Sequence, residues 1–278
     1  LLSMIKSYIE IIKGNFKLPN SPKDYRAIYD EITDLEIEPD EFPDGEIFRK
    51  DINYVYKNGK EIHRGLYPEK EIIDKTMELI NFMNNKNNLN ALIKIAIGHY
   101  YFGYIHPFYD GNGRTGRFIS SLYIREKFSI ITALSLAKGC NINKSSYLKI
   151  FDVTNRIVSR GEMNYFVDEF LTTLSIGQAE LLAQLNEKTT LLNTAYEKIS
   201  NDPRITSEEE FKIMYTFIQD YYFSINDKGI TVPDIVEVLK NTDITVRKKL
   251  KLLEEKSLIK KIKSNPLLYV LPNEYLEE

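Results

Sequence analysis

Apolar residues recur at three- and four-residue intervals through most of this 278-residue chain, the period of helices that bury one face. The pattern predicts helices near residues 3–13, 23–34, 68–85, 89–105, 114–128, 143–158 and 162–199. The last is long, with Phe166, Phe170, Leu174, Leu181, Leu185 and Leu192 spaced for a single buried face. Its second half can join two domains or pair with another copy in a homodimer. One stretch breaks the period. Between Ile52 and Ile62 the β-prone run Tyr54-Val-Tyr-Lys-Asn-Gly-Lys-Glu-Ile carries Asn58-Gly59, a strong short-range hairpin signal. The chain is therefore expected to be mainly α with a short hairpin set into it.

At Ser200-Asn-Asp-Pro-Arg204 a polar stretch containing proline marks a boundary. Beyond it come helices at 207–223, 232–239 and 242–255, then two strand-like runs, 258–263 and 267–270, joined by Ser264-Asn-Pro. Thr231-Val-Pro-Asp opens the second of these helices with a capping residue and a first-turn proline. Three helices followed by a hairpin resemble a winged helix. The expected organisation is thus an N-terminal helical segment (1–41), a core (42–200) and a small winged-helix-like domain (204–278). Residues 240–263 hold nine basic side chains against three acidic ones. That cationic helix and wing suit DNA phosphates, with Thr245, Arg247 and Lys248 foremost, yet such a domain also binds proteins.

Composition narrows the classes. A net charge of −3 argues against a globally basic nucleic-acid binder, and 43% hydrophobic residues are ample for a core. Cys140 is the only cysteine, which excludes an intrachain disulfide and fits a reducing compartment. The first ten residues carry Lys6 and Glu10 and resemble neither a secretion signal nor a membrane span, so a cytoplasmic protein without membrane contact is expected. The histidines His63, His99 and His106 lack a further converging ligand for zinc, and His99 is expected as a core residue hydrogen-bonded beneath the functional loop.

The densest chemistry lies in residues 106–117, His-Pro-Phe-Tyr-Asp-Gly-Asn-Gly-Arg-Thr-Gly-Arg. A helix ends at His106, and Pro107 pushes that residue out of the right-handed helical region. A new helix then starts from a glycine-rich turn. Helix N-termini present unpaired N–H groups, so Gly111, Asn112 and Gly113 can wrap backbone donors around a phosphate. Asn112 is expected to tolerate a left-handed conformation, and its amide to reach the ligand. Arg114 and Arg117, three apart, are expected to turn their guanidinium forks from one helix face toward the same anion. Asp110 is a hard oxygen ligand suited to Mg²⁺. His106 is the candidate base, since a neutral imidazole can take a proton from a hydroxyl.

The string HPFYDGNGRTGR resembles the signature of the Fic family, and the preceding Gly-His-Tyr-Tyr-Phe-Gly-Tyr-Ile resembles that family's lead-in. Asp44-Gly-Glu-Ile-Phe-Arg49 is similar to its entry to a flap, and Met163 to Leu174 to its closing helix. The resemblance implies an α-helical enzyme that transfers AMP from ATP to a Ser, Thr or Tyr hydroxyl of a target protein. It implies His106 as general base, Asp110 as Mg²⁺ ligand, Gly111 to Gly113 as anion hole, Arg114 and Arg117 as phosphate clamps, and Phe108 as a structural anchor. The hairpin at 52–62 would be the flap that aligns the target by main-chain pairing.

Two alternatives stand beside AMP transfer. One is a transcriptional regulator that senses a nucleotide. The other is a Fic-type transferase using another phosphate-containing donor, although Gly113 follows the AMP-transferring form of the motif. Many relatives carry an inhibitory Ser/Thr-x-x-x-Glu-Gly/Asn helix. Here Thr206 to Glu210 has the first spacing but is followed by Phe211, and a chain starting at Leu1 suggests an upstream segment.

Overall fold

The structure is a computed structural model and describes residues 2–34, 36–57, 59–86, 88–224 and 229–277. Its contacts divide the chain into two compact units, Leu1–Leu182 and Ala183–Glu278.

The first unit contains α1 (Leu2–Lys13), α2 (Pro22–Thr33), the hairpin β1 (Tyr54–Lys57) and β2 (Lys60–Arg64), α3 (Glu69–Asn84), α4 (Ala91–Ile105), α5 (Asn112–Lys127), α6 (Ile130–Ile142), α7 (Lys144–Thr154) and the start of α8 (Asn164–Asn201). Local chemistry sets several starts. Ser21 accepts from the Asp24 N–H while the Asp24 carboxylate accepts from Ser21, a capping box reinforced by Pro22. Asn90 caps α4 and Ser129 caps α6.

Helices α3, α4, α5 and α6 pack in succession around an aromatic core. Phe108, from the loop between α4 and α5, is fully buried and stacks on Tyr29 of α2, their centroids 3.8 Å apart and their planes 12° apart. Phe48 meets the same ring edge-on at 5.5 Å. Helices α6 and α8 cross closely, because a Cβ at Gly139 or Gly177 would collide with the Thr173 or Ser135 carbonyl oxygen.

The hairpin appears where Asn58-Gly59 places it. Lys57 pairs with Lys60 across the turn, Gly59 has φ 74°, and Asn58 itself lies outside the described residues. Helix α6 was not expected from the pattern. The single buried face expected for α8 holds only in part: Phe166, Phe170 and Leu174 are buried, Leu181 and Leu192 are half-buried, and Leu185 is exposed at 47%.

The second unit follows α8 with α9 (Glu208–Phe223), β3 (Ile230–Thr231), α10 (Val232–Leu239), α11 (Asp243–Glu255), β4 (Lys260–Ser264), β5 (Leu267–Val270) and a last turn of helix, α12 (Glu274–Glu277). Its antiparallel sheet has the order β3-β5-β4 over a core that includes Phe217, Leu250 and Tyr269. Carboxylates already engage four of the nine basic residues in 240–263: Arg247 with Asp243, Lys249 with Glu209, Lys251 with Glu255 and Lys256 with Glu210. Glu210 also accepts from the Thr206 N–H at 2.8 Å, so the Thr206-to-Glu210 motif serves the start of α9. Among the described residues no helix is long and apolar enough to cross a membrane.

Phe108 joins the functional loop to two other segments, so Phe108→Ala should cost about 3–5 kcal/mol of stability, the usual range for deleting a buried ring. Urea unfolding monitored by circular dichroism measures this; a loss under about 1 kcal/mol would mean the ring is not the anchor that its burial implies.

Candidate active site

His106 terminates α4 in the left-handed region, with φ 52° and ψ 61°, its N–H still bonded to the Phe102 carbonyl. It is thus out of the right-handed region, as a residue before proline is disposed to be. Its Nδ1–H donates to the Gly103 carbonyl at 3.3 Å, which leaves Nε2 as the lone-pair nitrogen. Burial, helped by the neighbouring His63 and opposed by the Gly103 bond, lowers its pKa to about 4. The ring is therefore neutral at physiological pH and free to accept a proton.

The loop then folds under itself. The Asn112 amide donates to the Phe108 carbonyl at 2.7 Å, and its oxygen accepts from the Phe108 N–H at 3.0 Å. This corrects two expectations for Asn112: its carboxamide closes the loop instead of reaching outward, and the left-handed residue is Gly111, with φ 79°. A side chain at Gly111 would also come within 2.9 Å of Tyr29. Helical pairing in α5 begins at the Thr115 N–H, which donates to the Gly111 carbonyl at 3.0 Å. The amides of Asn112, Gly113 and Arg114 are those the helix leaves for an anion.

A cavity of about 450 Å³ opens beside this turn. His106, Asn112, Gly113 and Arg117 line it, with flap residues across from them. Asp110, Gly111 and Arg114 do not. The two arginines therefore part company, contrary to the expectation that both face one anion. Arg117 lies 5.9 Å from the centre of the Tyr147 ring, at the cavity wall. Arg114 is held outside it between Glu36 at 2.9 Å and Asp110 at 2.7 Å. Paired carboxylates saturate one guanidinium edge and leave the other arginine nearest an incoming phosphate.

Beneath the cavity lies His99, buried as expected. The Ser120 hydroxyl donates to the Gly116 carbonyl at 2.8 Å, so it accepts from His99 Nδ1–H at 2.8 Å, and His99 Nε2 accepts from the Tyr147 hydroxyl at 2.7 Å. Burial pushes the His99 pKa down to about 3. This chain of bonds ties α7 to α4 and α5 under the site.

Residues 19–124, which span α2, the flap, α3, α4 and nearly all of α5, match the profile of the Fic/DOC family. This segment is similar to the Fic/DOC family. A probable protein adenylyltransferase of Aquifex aeolicus (strain VF5) is 29% identical over 117 residues, which covers 34% of each chain. The match thus spans about a third of that curated relative. A Fic family protein from Desulfovibrio desulfuricans G20 superposes with a TM-score of 0.56 at 16% identity, covering 98% of this chain and 74% of the other, a likeness of fold. A Fic domain-containing signalling protein from Bacteroides thetaiotaomicron VPI-5482 gives 0.44 at 21% identity over 66% of this chain and 67% of the other.

Two parts of the candidate site lie outside the twelve-residue motif. On α7, Ser145, Leu148, Asp152 and Asn155 line the cavity at helical spacing, a stripe visible once that helix is known to face the site. On β2, His63 lies with its ring centre 6.1 Å from that of His106 and donates through Nε2–H to the Tyr104 carbonyl at 2.8 Å.

The histidine shifts fix the sign of a pH effect. His99 and His106 protonate near 6.5 when unfolded but only near 3 and 4 when folded, so the unfolded chain binds more protons in that window. Stability should fall as pH drops below 6.5, by up to about 1.4 kcal/mol per pH unit for each ring. Urea midpoints at pH 7 and 5 measure it, and His99→Gln should flatten the slope; an identical slope in that variant would contradict a buried neutral His99.

Proposed function

We propose that this Fic domain is a protein adenylyltransferase that moves AMP from ATP to a Ser, Thr or Tyr hydroxyl of a target protein. The observation that carries the proposal is a neutral imidazole, His106, in the wall of a nucleotide-sized cavity whose adjoining wall is the N-terminus of α5 with Arg117. The printed name of the Aquifex relative supports the same reading.

In this reaction His106 Nε2 accepts the proton of the target hydroxyl, and the oxygen attacks the α-phosphorus of ATP. The bond from that phosphorus to the bridging oxygen of the β-phosphate breaks, and pyrophosphate leaves. Charge developing on the phosphoryl oxygens meets the free amides at Asn112 to Arg114 and the guanidinium of Arg117. Arg114 becomes a second clamp once phosphate competes with Glu36 and Asp110 for it. Gly113 keeps the cradle open, because a Cβ there would lie 3.2 Å from Arg117 Nη1.

Mg²⁺ fits the residues present. Asp110 is a half-exposed carboxylate with one oxygen bonded to Arg114, and among the described residues no cluster of three or more His, Cys, Asp or Glu could hold a metal alone. A single carboxylate suits an ion that takes its other ligands from phosphate and water. When bound, Mg²⁺ would neutralise phosphate charge.

The flap supplies the acceptor side. Among the described residues β1 and β2 form a two-stranded sheet of their own, with Tyr54, Tyr56 and Lys57 exposed. An extended target segment can pair with such an edge and bring its hydroxyl toward His106.

Incubation with ATP labelled separately at the α and γ positions should transfer only the α label to protein, and mass spectrometry should find an adduct of AMP on a hydroxyl residue. Retention of γ label alone would indicate phosphate transfer and overturn the proposal. His106→Ala should abolish labelling, whereas unchanged labelling removes His106 from the mechanism. The acidic limb of kcat/KM should lie near pH 4, where His106 loses its proton as pH rises; a limb near 6.5 would mean that the ring is solvated.

A further inference from the structure

We infer that Arg49 is the positioning residue that holds His106 in its reactive pose, acting through the main chain; the inference rests on His106 being the base proposed above. Arg49 is fully buried, yet among the described residues no carboxylate pairs with it. Among the described residues its side-chain bonds go to backbone carbonyls. Nε–H donates to His106 at 2.9 Å, Nη2 to Leu66 at 2.8 Å and Nη1 to Asp51. Its own N–H donates to the Pro107 carbonyl at 3.3 Å. Arg49 thus grips consecutive carbonyls at the base itself and at the residue after it.

The helix end explains why such a grip is required. A helix that stops in the left-handed conformation usually places glycine there, since any Cβ costs roughly 1–2 kcal/mol. Here that position is occupied by the residue whose imidazole does the chemistry, so glycine cannot take it. The turned-out His106 carbonyl has no acceptor role left inside α4, and the guanidinium supplies a charged donor in its place. A lysine would offer one compact ammonium where three carbonyls lie around a planar fork.

The surroundings keep that fork in place. A Cβ at Gly65 would overlap Arg49 Nη2 and approach the His106 Cβ to 3.0 Å. Upstream, the Glu69 carboxylate accepts from the N–H groups of Glu46, Ile47 and Phe48 at 3.1, 2.8 and 2.9 Å, which fixes the turn leading into Arg49. Downstream, Asn53 donates to the carbonyls of Phe108 and Tyr109 at 2.9 and 2.7 Å. The base of the flap therefore clamps the catalytic loop along its length, with Arg49 at the base residue.

The test uses Arg49→Lys, Arg49→Met and Gly65→Ala, the last crowding the guanidinium without removing it. Transfer from ATP is measured across ATP concentrations, and amide hydrogen exchange is followed by mass spectrometry. Arg49→Lys and Arg49→Met should lower kcat by about 10²-fold, the scale of a displaced catalytic group, with KM for ATP little changed. Gly65→Ala should do the same more mildly. Exchange should quicken in peptides covering 102–110 and stay as in the parent chain in α2. Undiminished kcat in Arg49→Lys would overturn the inference, as would exchange that quickens uniformly across the first unit, which marks a purely structural residue. If the parent chain labels no protein, the proposed activity fails while the exchange arm still decides: unaltered exchange at 102–110 in all three variants would show that Arg49 does not hold the loop.

Discussion

One buried ring sets the distance between His106 and the N-terminus of α5. Phe108 lies midway along the six-residue link from His106 to Gly111 and is sealed between Tyr29 and Phe48. Burying a phenyl ring contributes about 1.5–3 kcal/mol, and stacked or edge-on partners add roughly 0.5–1.5 more. With that ring seated, the link cannot stretch or slide, and Asn112 closes it from the other side through both its amide groups. The imidazole at one end and the free amides of α5 at the other are thereby held at a fixed separation. Tyr29 comes from α2 and Phe48 from the approach to the flap, so the same ring also registers those segments against the site.

Electrostatics divides the work among side chains that look alike in sequence. Burial keeps His106 neutral, which a base requires, and keeps His99 neutral, which a hydrogen-bonded strut requires. Arg117 faces the cavity while Arg114 is occupied by Glu36 and Asp110. Arg49 faces neither and, among the described residues, bonds to main chain. Three arginines thus have three environments: a site wall, a carboxylate pair and a backbone cage. Each environment decides what the guanidinium can do, because desolvation and pairing govern the strength of a charged donor more than its identity does.

The parts legible in the sequence were those written contiguously. Twelve neighbouring residues point to the candidate site, and Asn58-Gly59 points to the hairpin turn, because each depends on local geometry. Helix α6 was missed for a physical reason. Ala133, Leu136 and Cys140 are buried on it alongside Thr132, Ser135 and Gly139, so polar and apolar residues share the inner face and no amphipathic period survives. The two-residue strand β3 exists only through its pairing with β5, which no local signal encodes. Asn112 was assigned outward because its residue type allows that, whereas its orientation depends on where the Phe108 backbone lies. Arg49 entered only as part of a resemblance, since nothing in a sequence marks carbonyls that converge from three separate segments.

The flap shows how one irregularity serves two sides of a site. Strand side chains alternate, so the neighbours Ile62 and His63 should not both face one way. Yet both line the cavity, and the pairing skips Ile62: Val55 pairs with His63 and Tyr56 with Glu61. Such a bulge inserts a residue into β2 and re-aims its side chains, which brings Ile62 and His63 to the same cavity. Lys57 then reaches Asp152 on α7 at 3.7 Å and ties the flap across the cavity. At that separation, with Lys57 half exposed, the pair is worth little energetically. The inner face of the hairpin can thus roof the nucleotide while its outer edge stays free for the acceptor segment, as the proposed transfer requires.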